Sequence, residues 1–138
     1  MLLNPYLMFD GQREEAFKFY EKCFGGKIIF MMRYEASPVA SQTPPEVGKR
    51  ILHAGLAVGD GVALEGSDAM PGQYKKQQIF AVMLRPHDSS EAERIFKALA
   101  EEGTVQIPME ETFWAVRFGK VTDRFGVPWL INCEKPAA

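Results

Sequence analysis

The side chains that could do chemistry in this 138-residue chain are few and lie far apart in the sequence. Glu65 lies in the largely apolar segment VALEGSD, three residues before Asp68. If its side chain faces a cavity, Glu65 is a candidate general base, because a carboxylate can accept a proton from a bound substrate. If it faces water, it is a charge at the end of a strand. We take Glu65 as the catalytic candidate.

His53 is another side chain that could join Glu65 around a ligand or a divalent metal ion. A catalytic metal site needs about three protein ligands in a fixed geometry. His53 lies in the segment KRILHAGLAV, and a partly buried histidine bonded to backbone is the simpler alternative. We therefore predict His53 as a substrate contact and assign no metal ligand, while a divalent metal cofactor stays open.

The segment TFWAVRFGKVTDRFGVPWLINC holds both tryptophans and two arginines. Strand alternation places Trp114 and Phe118 on one face and Arg117 on the other. If the aromatic face packs under a helix, Arg117 faces a cavity, where it could bind a ligand carboxylate or phosphate with two hydrogen bonds. The alternative is an ion pair with a nearby acid, namely Glu110, Glu111 or Glu65.

The end of the same segment contains a turn and a polar strand residue. The turn Asp123 to Gly126 is expected to be structural and to set the register of the last hairpin. Asn132 lies in VPWLINC, the last predicted strand. A buried asparagine must find partners, so Asn132 is a ligand contact or a bridge to backbone. Trp114, Arg117 and Asn132 thus join His53 as predicted substrate-binding residues.

Two similar runs of elements carry these residues. Five apolar residues recur at helical spacing and five more repeat the same offsets 76 positions later, namely Ala16, Phe19, Tyr20, Cys23 and Phe24, then Ala92, Ile95, Phe96, Leu99 and Ala100. Strand-like segments precede and follow each predicted helix. The sequence therefore predicts one α+β domain over residues 1–138, built from two βαβββ modules at about 3–68 and 76–134.

Composition and charge exclude several classes of protein. The net charge is −2 and no basic block is present, which argues against nucleic-acid binding. No run of about 20 apolar residues could span a membrane, and the N-terminal segment lacks the basic start of a secretory signal. We therefore expect a cytoplasmic protein. Cys23 and Cys133 form no Cys-x-x-Cys pair, so each is expected as a small buried apolar side chain.

The repeat and three segments resemble the vicinal oxygen chelate superfamily, and within it the PhnB-like (demethylubiquinone methyltransferase-like) branch. The segments are PYLMFDGQREEAFKFYEKCFGG, ILHAGLAVGDGVALEGSD and TFWAVRFGKVTDRFGVPWLINC. The resemblance implies a curved mixed sheet around a cup, helices outside, and a homodimer. It also implies four metal-ligand positions, which fall near Pro5, at Glu65, near Gln78 and near Leu130. On this ground Gln78 is a predicted substrate contact, and Leu130 is expected to point inward, as is Asn132 two residues later. Among these residues Glu65 is the one strong oxygen ligand.

The function predicted from the resemblance is small-molecule binding of the glyoxalase/bleomycin-resistance type, with an apolar or aromatic ligand in the cup and catalysis not assured. Methyl transfer is rejected, because no Gly-x-Gly follows a buried strand into a helix. Two alternatives stay open. One is a divalent-metal-dependent lyase, isomerase or dioxygenase that uses Glu65, His53 and Gln78. The other is a non-catalytic structural or regulatory dimer.

Overall fold

The computed structural model describes residues 3–59, 61–76 and 79–136. The chain divides into two compact units, Met1–Lys75 and Lys76–Ala138. Each unit has a four-stranded mixed sheet and one α-helix in the order βαβββ. The α+β class and the two modules predicted from the sequence are confirmed. Within the described residues, no helix is long and apolar enough to cross a membrane.

The first unit has its four strands in the spatial order β1-β4-β3-β2, with β1 parallel to β4 and the other pairs antiparallel. Its elements are β1 (Tyr6–Phe9), α1 (Arg13–Phe24), β2 (Lys27–Arg33), β3 (Ile51–Ala57) and β4 (Val62–Asp68). The long connection between β2 and β3 contains three short 3₁₀ turns, at Tyr34–Ala36, Ala40–Gln42 and Pro45–Val47. The Pro- and Ser-rich composition of this segment predicts a loop, and its turns give that loop local hydrogen bonds.

Alternation along β1 shows which face of the first sheet α1 covers. Leu7 and Phe9 are buried, and the Phe9 ring meets the Phe17 ring of α1 edge-on with centroids 6.4 Å apart. Tyr6 and Met8 point to the other face and are exposed. The helix thus buries one face of the sheet, and we call the face opposite α1 the open face of the first sheet.

The second unit repeats this plan, with the strands in the order β5-β8-β7-β6 and β5 parallel to β8. Its elements are β5 (Val82–Leu84), α2 (Ser89–Leu99), β6 (Thr104–Glu110), β7 (Ala115–Thr122) and β8 (Pro128–Glu134). Asp88 caps α2, since its Oδ1 accepts a hydrogen bond from the backbone N–H of Glu91 at 2.8 Å. The helix buries its apolar stripe, namely Ala92, Ile95, Phe96 and Leu99.

Both cysteines are free and buried, as the sequence predicts. Cys23 lies on the buried side of α1 and Cys133 in β8. Burial raises the pKa of the Cys133 thiol, and the nearby acids Asp88 and Glu91 raise it further. A thiol in such surroundings stays protonated and poorly nucleophilic. Neither cysteine therefore enters the candidate site.

The face of β7 that packs under α2 is not the aromatic face that the sequence analysis assumed when it placed Arg117 in a cavity. Ala115 is fully buried, and a Cβ added at Gly119 would lie 2.8 Å from the Phe96 ring of α2. The residues on this side of the strand therefore face the helix. Arg117 shares that side, whereas Phe118 points to the opposite face. The predicted alternation is correct, but the small residues, not the aromatic ones, lie under α2.

Candidate functional site

Three polar side chains from three strands meet on the open face of the first sheet. His53 Nε2 lies 3.3 Å from Glu65 Oε1, and the Tyr6 hydroxyl lies 3.2 Å from His53 Nδ1. The register explains the meeting, because Tyr6 of β1 and Gly55 of β3 both pair with Glu65 of β4. Paired residues of adjacent strands point to the same face. We call this group the Tyr6–His53–Glu65 cluster.

One hydrogen bond and one ion-pair contact hold the imidazole from its two sides. In a neutral histidine with its proton on Nε2, Nδ1 accepts a hydrogen bond from the Tyr6 hydroxyl, and Nε2 lies within ion-pairing distance of the Glu65 carboxylate. The His53 side chain is 41% exposed and that of Glu65 is 28% exposed. The cluster is thus ordered by its own contacts and still open to a ligand. Its atoms can exchange hydrogen bonds, or a proton, with a polar group placed on this face.

Aromatic rings surround the imidazole. The Phe30 ring lies 4.9 Å from the His53 ring, and the Tyr6 ring stacks on His53 at 5.7 Å with 13° between the planes. Gly55 makes the first contact possible, because a Cβ at that position would lie 2.5 Å from the Phe30 ring. Tyr6, Phe30 and Gly55 are not among the site residues predicted from the sequence. A glycine inside a strand is nevertheless a recognisable signal of such close approach.

The substitution Gly55→Ala is expected to push the Phe30 ring away from His53. The added methyl group overlaps the ring, so the ring must turn or the strands must separate. We expect a loss of about 1–3 kcal/mol in the free energy of unfolding, the usual cost of overpacking. Urea denaturation measures this loss, and the His53 ring proton shifts report the ring movement. In the Phe30→Ala background the cost of Gly55→Ala should largely disappear; an unchanged cost there would show that Phe30 is not the obstacle.

The described residues do not fit a metal centre with three protein ligands. In the portions of the chain that the structure describes, no three His, Cys, Asp or Glu side chains form a group that could hold a metal ion. His53 and Glu65 supply two candidate ligands, and Pro5, beside β1, has no ligating side chain. Gln78 lies outside the described residues. Because a catalytic site needs about three such ligands, we derive no step through a metal ion.

The face of the second sheet opposite α2 carries two of the other predicted residues. Trp114 Nε1 donates to Asn132 Oδ1 at 3.2 Å, and the Trp114 and Phe118 rings meet edge-on at 5.1 Å. The amide nitrogen of Asn132 faces Met83 Sδ at 4.0 Å and Glu134 Oε1 at 3.4 Å. Asn132 is therefore buried and hydrogen-bonded to side chains. A contact with a ligand or a bridge to the backbone is expected from the sequence.

Arg117 does not join Trp114 and Asn132 on this face. Its Nε donates to Glu93 Oε1 of α2 at 2.9 Å, and its Nη1 donates to the carbonyl oxygen of Val116 at 2.7 Å. The ion pair considered as an alternative thus forms, but with an acid of the helix that spacing along the strand could not identify. The other histidine, His87, is exposed beside the start of α2.

Comparisons of the sequence and of the fold with known proteins agree with one another. A sequence model of the family described as 3-demethylubiquinone-9 3-methyltransferase matches residues 2–132. The protein YjdN of Escherichia coli K12 is 34% identical over 143 residues, which cover 98% of this chain and 97% of YjdN. The crystal structure of protein PA1353 from Pseudomonas aeruginosa is 41% identical, with a TM-score of 0.85 over 99% of both chains. A glyoxylase/bleomycin resistance protein/dioxygenase domain from Frankia sp. EAN1pec is 8% identical, with a TM-score of 0.68 over 98% of both chains.

Proposed function

Because the chain belongs to the 3-demethylubiquinone-9 3-methyltransferase family and has the fold of a glyoxalase/bleomycin resistance/dioxygenase domain, we propose that it is a small-molecule-binding protein. The superfamily and the branch that the sequence resembles are confirmed. The proposed ligand is apolar or aromatic and binds on the open face of the first sheet. There it contacts the Tyr6–His53–Glu65 cluster through one polar group.

The proposal is carried by the exposed apolar side chains that surround the cluster. Met8 is 43% exposed and Phe30 36%, and both lie on the face that carries His53, as does the ring of Tyr6, a member of the cluster that is 47% exposed. A contiguous apolar patch around a few convergent polar groups is the usual form of a small-molecule site. Methionine adapts its shape to different ligands. The Tyr6–His53–Glu65 cluster would contact the polar group of the ligand and so orient it, while the apolar side chains contact the rest of the ligand.

The activity in the family's name is not extended to this chain. The turn between β1 and α1 contains one glycine, Gly11, whereas a dinucleotide-type fingerprint needs three. Each sheet is a mixed four-stranded sheet with one parallel pair, and the nucleotide-binding fold has a largely parallel sheet. The homodimer and the metal-dependent alternative stay predictions.

An NMR titration of the ¹⁵N-labelled protein with 2-naphthol tests the proposed function. This uncharged probe combines an aromatic body with one hydroxyl group. We expect saturable shifts centred on the amides of Phe30, His53 and Gly55. The substitution Phe30→Ala should weaken binding by about tenfold, the loss expected for one aromatic contact.

A matched control is Phe113→Ala, which removes an exposed phenylalanine from the second unit. This variant should bind 2-naphthol like the unaltered protein. Shifts that never saturate, or equal weakening by both substitutions, would count against a site on the open face of the first sheet.

A further inference from the structure

The second unit contains a cavity of about 380 Å³, a volume typical of small-molecule sites. Strands β6 and β7, the start of β8 and the chain before β5 line it. The lining residues are Lys76, Ile79, Phe80, Thr104, Gln106, Lys120, Thr122, Gly126 and Pro128. Of the predicted substrate contacts that lie within the described residues, namely His53, Trp114, Arg117 and Asn132, none belongs to this set. The cavity is therefore a separate feature of the second unit.

The floor of the cavity is polar because of how β6 and β7 pair. Thr104 is opposite Thr122 in the register, and Gln106 Nε2 donates to Thr122 Oγ1 at 2.6 Å. Lys120 and Thr122 alternate with Gly119 and Val121, which face α2. Strand geometry thus points the ammonium and hydroxyl groups away from the helix and into the cavity.

The charged side chains among the described lining residues of the cavity are all positive. Two lysines, Lys76 and Lys120, line it and none of its described lining residues is acidic. Among the ion pairs of the described residues, none includes Lys120. Arg117 of the same strand, by contrast, is paired with Glu93. Two ammonium groups beside hydroxyl and amide donors favour an anion.

We propose that this cavity binds the acidic group of a small organic anion. The group is a carboxylate, a phosphonate or a phosphate, held by Lys120 and Lys76 and by the hydroxyl groups of Thr104 and Thr122. Phe80 and Pro128 offer an apolar wall for a short apolar body attached to it. This site goes beyond the function proposed for the first unit and is tested independently of it, because the two sets of residues lie in different units.

The experiment is an NMR titration of the ¹⁵N-labelled full chain with four probes: phenylphosphonate, benzoate, inorganic phosphate and the uncharged benzyl alcohol. We expect phenylphosphonate or benzoate to give saturable shifts of the amides of Gln106, Thr122 and Gly126, and benzyl alcohol to give none. Lys120→Met should weaken this binding by about tenfold, the loss of one charge-assisted hydrogen bond. Lys97→Met, on the outer surface of α2, is the matched control and should leave binding unchanged.

The outcomes separate this proposal from the one for the first unit. Equal binding by Lys120→Met and the unaltered protein, or anion shifts centred elsewhere, would overturn the site. Inorganic phosphate that binds as tightly as phenylphosphonate would overturn the apolar body assigned to the ligand. The choice between phenylphosphonate and benzoate identifies the acidic group. Thermal unfolding confirms that each variant is folded, and Lys120→Gln provides a second neutral side chain of similar length. Failure of 2-naphthol to bind leaves these expectations unaffected.

Discussion

Replacing Asp123 with alanine is expected to lower the free energy of unfolding by about 3–5 kcal/mol, because three donors lose a buried acceptor. Asp123 Oδ1 accepts from the backbone N–H groups of Phe125 and Val127 at 2.9 and 3.0 Å. Its Oδ2 accepts from Trp129 Nε1 at 2.9 Å. Asp123 is 3% exposed, so water cannot readily replace its carboxylate. Urea denaturation followed by tryptophan fluorescence measures the loss.

Two further substitutions show whether the number of bonds sets this cost. Asp123→Asn keeps one oxygen for the two backbone N–H groups but turns an N–H group toward the Trp129 indole, so a smaller loss is expected. Asp88→Ala removes an exposed helix cap with one bond to the N–H of Glu91 and should cost about 1 kcal/mol. Equal costs for Asp123→Ala and Asp88→Ala would show that the buried network adds nothing.

The structural role of the Asp123 turn could be predicted from the sequence, because turn chemistry is local. An aspartate followed three residues later by glycine is a turn signal, and the alternation of β7 follows from strand geometry alone. The side of β7 that α2 covers could not be predicted. It depends on the fit of the Phe96 ring over Gly119, a contact across 23 positions of the chain. Arg117 consequently lies beside the helix and not in a cavity.

The candidate site likewise combines features that the sequence predicts with contacts between distant segments that it does not predict. His53 was selected by residue type, and Glu65 by residue type together with the family resemblance. Strands in the segments that carry them were also predicted. Their 3.3 Å approach depends on the pairing of β3 with β4, which includes a register shift between Leu56 and Ala57. Counting along the chain does not locate such an irregularity. Tyr6 was missed because its place beside Glu65 comes from a parallel pairing between residues 59 positions apart.

Arg13 is a charged residue that the fold buries completely. It is the first residue of α1, its backbone N–H donates to Asp68 Oδ1 at 2.9 Å, and its Nη2 donates to the carbonyl oxygen of Ala54 at 3.1 Å. Within the described residues, Nε and Nη1 are buried without a hydrogen-bond partner. The guanidinium lies against the Phe17 ring. Burial lowers the pKa of Arg13 to about 8, although Tyr20 and Asp68 oppose the shift.

Arg13→Met is therefore expected to raise the free energy of unfolding at pH 7 by about 1–3 kcal/mol, since a methionine of similar length needs no buried hydrogen-bond partners. The pH dependence has a definite sign. A folded-state pKa below the ordinary arginine value means that the unfolded chain binds more protons above pH 8, so the unaltered protein gains stability there, by up to about 1.4 kcal/mol per pH unit. The advantage of Arg13→Met should thus be largest at or below pH 8 and shrink toward pH 10.

Urea denaturation of both proteins between pH 7 and pH 10 measures this difference. Lys18→Met, which removes an exposed cation from the same helix, controls for net charge and should differ from the unaltered protein by a small amount at every pH. A lower stability of Arg13→Met at pH 7 would mean that the bond to the Ala54 carbonyl and the cation–π contact with Phe17 outweigh the cost of burying the charge. The buried guanidinium would then stabilise the packing of α1 on the first sheet, and its two unpartnered nitrogens would cost less than their burial implies.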